Sequence, residues 1–113
     1  MKNSKNKSNL TIKDSQRLVD RWINQYQEGY WPVHAQLARL VEEVGELARE
    51  INHRFGPKPK KSTEQPADLG GELGNVLFTI LALANSLDED LFDRLGQVLA
   101  KYNKRDAKSW RKK

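Results

Sequence analysis

Cysteine is absent from this chain of 113 residues, so neither a disulfide framework nor a thiolate metal site is open to it. Histidine is nearly absent as well: His34 and His53 stand alone, and their separation makes no zinc pattern. Long apolar runs are missing. The longest, Val76 to Ala84, falls far short of a bilayer's thickness, and no secretory signal pattern is recognisable. The expectation from these absences is a soluble, cytoplasmic protein. Strand-like alternation of apolar and polar residues is also lacking, which leaves helices as the only regular structure to expect.

The net charge is +5, and most of the excess lies at the ends and in one loop: Lys2, Lys5 and Lys7, then Lys58, Lys60 and Lys61, then Lys101 to Lys113. Such a distribution attracts polyanions of any kind and does not choose among them. Residues 1–10 read as a disordered basic tail, 11–110 as a single domain and 111–113 as a short basic end. Within the domain the pattern is helical. Thr11 followed by Asp14 resembles an N-terminal cap, with Leu18, Val19, Trp22, Ile23 and Tyr26 forming an apolar stripe read as core. A second helix starts at Pro32 and carries Val33, Leu37, Leu40, Val41, Val44, Leu47, Ala48 and Ile51; Gly56 as a left-handed cap and Pro57 as a breaker end it. After a basic loop, Pro66 opens a third helix with Leu69, Leu73, Val76, Leu77, Ile80, Leu81 and Ala84. Asp88 is expected to cap a fourth, with Leu87 and Phe92 as a staple and Leu91, Leu95, Val98, Leu99 and Tyr102 facing inward. The fold class is all-α, a bundle of about four main helices in which the second and third are antiparallel neighbours.

The third helix has two unusual features. Gly70, Gly71 and Gly74 fall in its first half, where each costs about 1 kcal/mol relative to alanine. Close backbone packing would offset that, and so would a need for room beside Glu72 and Asn75. Its second half, VLFTILALA, is apolar nearly all the way round and needs cover on every side. A chain this short has little to cover it with, so a homodimer or homotetramer is expected.

Glu43 and Glu46 on the second helix, and Glu72 and Asn75 on the third, lie three apart, so each pair points one way from its axis. Two such helices side by side would bring together three carboxylates and one amide. Oxygen-only clusters suit hard cations such as Mg²⁺ or Mn²⁺. Glu-x-x-Glu is also common on solvated faces of charged helices, and spacing alone does not separate the two readings.

The segments LARLVEEVGELAREI (Leu37 to Ile51), ELGNVLFTILALANSL (Glu72 to Leu87) and KYNKR (Lys101 to Arg105) resemble the MazG family of nucleoside triphosphate pyrophosphohydrolases, in order and in intervening length. The resemblance runs from Thr11 to Trp110, and the short single-domain members are the most similar. It implies an all-α homo-oligomer that cleaves a nucleoside triphosphate between the α and β phosphates. The family's Glu-x-x-Glu and Glu-x-x-Asp ligands fall on Glu43, Glu46, Glu72 and Asn75, with Asn75 a departure that removes a negative charge. Mg²⁺ is the implied cofactor, with Mn²⁺ a possible substitute. Glu42 and Glu46 are the candidates for taking the attacking water's proton.

Lys101 and Arg105, four apart on the last helix, match basic residues that hold phosphates in the family; a solvated helix end is the plainer reading. Trp31, His34 and Gln36, where the second helix begins, could stack on and read a base, or serve as ordinary packing. The substrate expected is a nucleoside triphosphate. Asn75 keeps open a nucleotide-binding relative with impaired catalysis, and the charge a basic helical module for nucleic acid. No helix-turn-helix signature supports the latter, so nucleic acid is not expected as a partner.

Overall fold

The computed structural model describes residues 9–57 and 68–113. Among these residues there are four helices and no strand: α1 (Ile12–Asn24), α2 (Val33–Phe55), α3 (Leu69–Ser86) and α4 (Leu91–Asp106). The expected all-α architecture is present. The basic loop from Lys58 to Lys61, Pro66, and the tail residues through Ser8 lie outside the described residues.

Each helix start has a local cause. Thr11 and Asp14 form a capping box, the Thr11 hydroxyl accepting from Asp14 N and the Asp14 carboxylate from Thr11 N, both at 3.0 Å. The backbone bond from Thr11 and then its hydroxyl hold the Asp14 carboxyl below its usual range. Pro32 precedes the first turn of α2, and the Asp68 carboxylate caps α3 by accepting from Gly71 N at 2.9 Å. For α4 the expected cap is corrected. Asp90, not Asp88, accepts from Phe92 N and Asp93 N, while Asp88 takes a left-handed φ of 59° that ends the preceding turn. Leu87 and Phe92 consequently do not occupy staple positions about the cap.

The helix-ending glycine is also corrected. Gly56 is extended, not left-handed, with φ −90° and ψ −178°. It is needed for space, because a Cβ there would stand 2.6 Å from the Asn52 carbonyl oxygen. On α3, Gly74 has open space around its missing Cβ, and Gly71 faces only the Asp68 carboxylate that caps it. Close backbone packing therefore does not account for these glycines within the chain.

Helix α3 lies in the middle, with α1 and α2 packed on it and α4 meeting mainly α1. Gln36 near the start of α2 bonds Ser86 at the end of α3, so the two run antiparallel. Trp22 of α1 meets Phe78 of α3 edge-on, ring centres 5.6 Å apart. The inward apolar stripes expected from periodicity are largely not inward. Among the described apolar residues only Leu81, Ala82 and Ala84 are buried, all on α3, and no residue of α4 is buried. Leu37, Val41, Val44, Leu73, Leu77, Leu95, Leu99 and Tyr102 are exposed, as are Trp22 and Tyr26. The buried residues of α2 are instead Gln36, Glu43 and Glu50, spaced seven apart on one face. The reason is geometric. The helices are apolar over more surface than one three-layer arrangement of a single chain can cover.

A polar knot built on Gln16 fixes the start of α4. Its Nε2 donates to Asn85 Oδ1 at 3.0 Å and to the Glu89 carbonyl at 2.9 Å, its Oε1 accepts from Leu91 N at 3.0 Å, and its own carbonyl accepts from Asn85 Nδ2. Lys13 adds an ion pair to Asp90 at 3.2 Å. Gln16→Leu keeps the volume but strands the half-buried partners of both amide atoms, and is expected to cost about 1–3 kcal/mol. Urea titration checks this; a loss below about 0.5 kcal/mol would mean that α4 is held by something else.

Candidate functional site

A cavity of about 420 Å³ opens in the crease over α3, between α1 and the start of α2. Helix α1 supplies Trp22, Ile23 and Tyr26, the connecting loop supplies Glu28 to Trp31, α2 supplies Gln36, Arg39 and Glu43, and α3 supplies Asn75, Phe78, Thr79 and Ala82. Part of the wall is aromatic. Trp22 stacks edge-on against both Tyr26, at 5.2 Å between ring centres, and Phe78. The lining also includes Glu43 of α2 and Asn75 of α3, the latter one turn from Phe78. Gly29 turns the loop back over the cavity with φ 63°, a conformation glycine adopts without cost.

Polar groups at the wall are held in fixed roles. Gln36 Nε2 donates to the Trp31 carbonyl and to Ser86 Oγ, both at 2.7 Å, which leaves Oε1 buried with no partner among the described residues. The Thr79 hydroxyl donates back to the Asn75 carbonyl at 2.8 Å. Glu43 is 8% exposed, and its carboxylate pairs with Arg39 at 3.3 Å. Tyr30 donates to Asp20 at 2.6 Å and accepts from Asn85 at 3.0 Å.

Of the residues singled out by sequence, Trp31, Gln36, Glu43 and Asn75 come together on this cavity. His34 is exposed and does not line it. Glu42 and Glu46 are exposed and Glu72 is half-buried. Among the described residues no three His, Cys, Asp or Glu side chains are gathered closely enough to hold a metal ion. The donor chemistry of Glu43, Glu46, Glu72 and Asn75, all oxygen, nevertheless fits a hard divalent cation. Lys101 and Arg105 are exposed on α4, both over the Tyr102 ring, and Arg105 pairs with Asp106 at 2.8 Å. Neither lines the cavity of its own chain. Sequence reasoning missed Trp22, Tyr26, Phe78 and Arg39. The four-residue spacings Trp22 to Tyr26 and Arg39 to Glu43 mark shared helix faces, but an aromatic pair at that spacing serves a core equally well.

Burial, followed by the bond to Asp20, pushes the Tyr30 hydroxyl up from 10.0 to about 12. A raised value means that the folded state holds this proton more tightly. The associated stability is complete below pH 10 and is lost as pH rises from 10 toward 12. Tyr30→Phe is therefore expected to remove the part of the alkaline destabilisation in that window, measured as the difference in urea midpoint between the two proteins against pH. Parallel curves would exclude Tyr30 as the titrating group.

The sequence matches the MazG nucleotide pyrophosphohydrolase domain over residues 32–110. It is 51% identical over 106 residues to YpjD, an uncharacterized protein of Bacillus subtilis (strain 168), covering 94% of this chain and 96% of the relative. The crystal structure of YPJD from Bacillus subtilis superposes with a TM-score of 0.76 at 52% identity, over 83% of this chain and 96% of the other. The Bacillus-conserved MazG protein, described as a nucleotide pyrophosphohydrolase, superposes with a TM-score of 0.72 at 44% identity, over 83% and 90%. The matched span holds α2, α3 and α4 in full, and with them the α2 and α3 walls of the cavity. The chain belongs to the MazG nucleotide pyrophosphohydrolase family.

Proposed function

We propose that this protein hydrolyses nucleoside triphosphates to nucleoside monophosphate and pyrophosphate, with Mg²⁺ as cofactor and Mn²⁺ as a substitute. The observation that carries the reading is one cavity whose lining joins the rings of Trp22, Tyr26, Trp31 and Phe78 to the buried carboxylate of Glu43 and to Asn75. A base is flat and apolar on its faces, and Trp22, Tyr26, Phe78 and Trp31 offer surfaces for it to stack on. Gln36 has an acceptor oxygen for an N–H on the base edge, since its amide hydrogens are already committed. The polyphosphate then extends toward Glu43 and the remaining acids of α2 and α3.

Glu43, Glu46, Glu72 and the side-chain amide oxygen of Asn75 would hold the cation, which when bound would neutralise phosphate charge and polarise the α phosphorus. The exposed Glu46 and the half-buried Glu72 have to turn in to do so. Water adds to the α phosphorus, the bridging bond to the β phosphate breaks, and pyrophosphate leaves. Glu46 or Glu42 receives the water's proton. Lys101 and Arg105 bind the β and γ phosphates, and because α4 packs away from the cavity of its own chain they do so for a second copy.

Incubation of a nucleoside triphosphate panel with and without Mg²⁺, with products separated by chromatography, tests the reading. Monophosphate plus pyrophosphate is expected, with Glu43→Gln lowering kcat by about 100-fold or more at unchanged helix content. Diphosphate plus phosphate would overturn it. Tight binding of nucleotide without hydrolysis would instead favour a relative whose catalysis the neutral Asn75 has impaired.

The functional unit is a homodimer or homotetramer. Its support is the uncovered apolar surface of α2, α3 and α4. Sedimentation at micromolar concentration should show a mass above the monomer, and Leu99→Glu should shift it toward the monomer, since a buried leucine contributes about 1.5–3 kcal/mol per copy and a two-fold interface uses it twice. A monomer in the unmodified protein would contradict this.

A further inference from the structure

Arg39 Nε stands 3.3 Å from Glu43 Oε1, across one turn of α2. Both side chains line the cavity. Helix support does not explain the pair, because arginine preceding glutamate by four residues is the weaker orientation with respect to the helix dipole. Burial explains it better. The Glu43 side chain is 11% exposed and the Arg39 side chain 54%, so a nearly buried carboxylate has recruited a cation that reaches in from water, as a buried charge requires. A divalent ion on Glu43 would share the carboxylate with the guanidinium and repel it. The two cations compete for one charge.

The levels along α2 say where the displaced guanidinium goes. Gln36, Arg39 and Glu43 fall in that order on the cavity wall, spanning about 10.5 Å at 1.5 Å per residue. That length is close to the reach of a nucleoside 5′-phosphate from the outer edge of its base to its phosphate oxygens. Arg39 is only about 4.5 Å along from Gln36, but its guanidinium reaches Glu43, the end of the span where the phosphate of a nucleotide with its base beside Gln36 would fall. A planar guanidinium fork is well suited to bind that phosphate with two hydrogen bonds.

We propose that Arg39 is an internal counter-ion for Glu43 that a divalent cation displaces, and that the freed guanidinium binds the α phosphate of the nucleotide. This rests on the pyrophosphohydrolase reading above. It makes metal and nucleotide mutually reinforcing ligands: the metal frees the arginine that the nucleotide needs, and the nucleotide keeps that arginine away from the metal's oxygen.

Arg39→Gln and Arg39→Lys, made in the full chain, test it with two binding measurements. Calorimetry with Mn²⁺ alone reads the competition, and tryptophan fluorescence with α,β-methylene ATP at saturating Mg²⁺ reads the phosphate contact without turnover. Arg39→Gln should bind Mn²⁺ roughly 3- to 10-fold more tightly and the nucleotide analogue roughly 10- to 100-fold more weakly. Arg39→Lys, which keeps the charge but not the fork, should leave Mn²⁺ binding close to that of the parent and recover only part of the nucleotide affinity. Unchanged or weaker Mn²⁺ binding in Arg39→Gln would overturn the proposal, and so would unchanged nucleotide binding. Either result in a parent protein that still yields monophosphate and pyrophosphate removes this role of Arg39 alone. A parent that neither binds Mn²⁺ nor hydrolyses nucleotide removes the pyrophosphohydrolase reading and the proposal together.

Discussion

Everything in this structure depends on one choice: α2 turns its polar row, Gln36, Glu43 and Glu50, toward its neighbours instead of its apolar one. Burying an amide and two carboxylates costs free energy unless each is compensated. The Gln36 amide nitrogen is compensated by the Trp31 carbonyl and Ser86, and Glu43 by Arg39. Once the polar row faces inward, the apolar residues on the other side of the helix must face outward. The chemistry of the cavity and the incompleteness of the single chain thus have the same origin.

That choice also explains what could and could not be read from the sequence. Helix number, the antiparallel pair and the capping box at Thr11 and Asp14 were legible, because periodicity and side-chain capping act within a few residues of each other. Which face of α2 points inward was not. Periodicity places Leu37, Val41 and Val44 on one stripe but says nothing of whether that stripe meets the same chain or another. Trp22 and Tyr26 show the same limit: their four-residue spacing marks a shared face, and only packing against Phe78 makes that face a cavity wall. Asp88 and Asp90 are alike as cap candidates by type. The left-handed backbone at Asp88 decides between them.

The family assignment and the physical description meet at Glu43. It is the residue of the Glu-x-x-Glu pair that the cavity contains, whereas Glu46 remains exposed and Glu72 only half-buried. Position 75, where the chain carries an amide, borders the same cavity. A neutral group there lowers the negative charge around Glu43. It also lowers the repulsion that any anion meets on entering the cavity.

The Gln16 knot has a consequence for how the chain is made. Its partners Asn85, Glu89 and Leu91 lie 69 to 75 residues farther along. At roughly 5–20 residues per second, a ribosome needs roughly 3–15 s to deliver them after Gln16 has been synthesised. For that interval α1 is capped at its start but has neither α3 to rest on nor α4 to anchor. The α2–α3 pair, whose contacts are closer in sequence, is complete before α4 has been made, so the order of synthesis favours this central pair as the surface on which the first and last helices later dock.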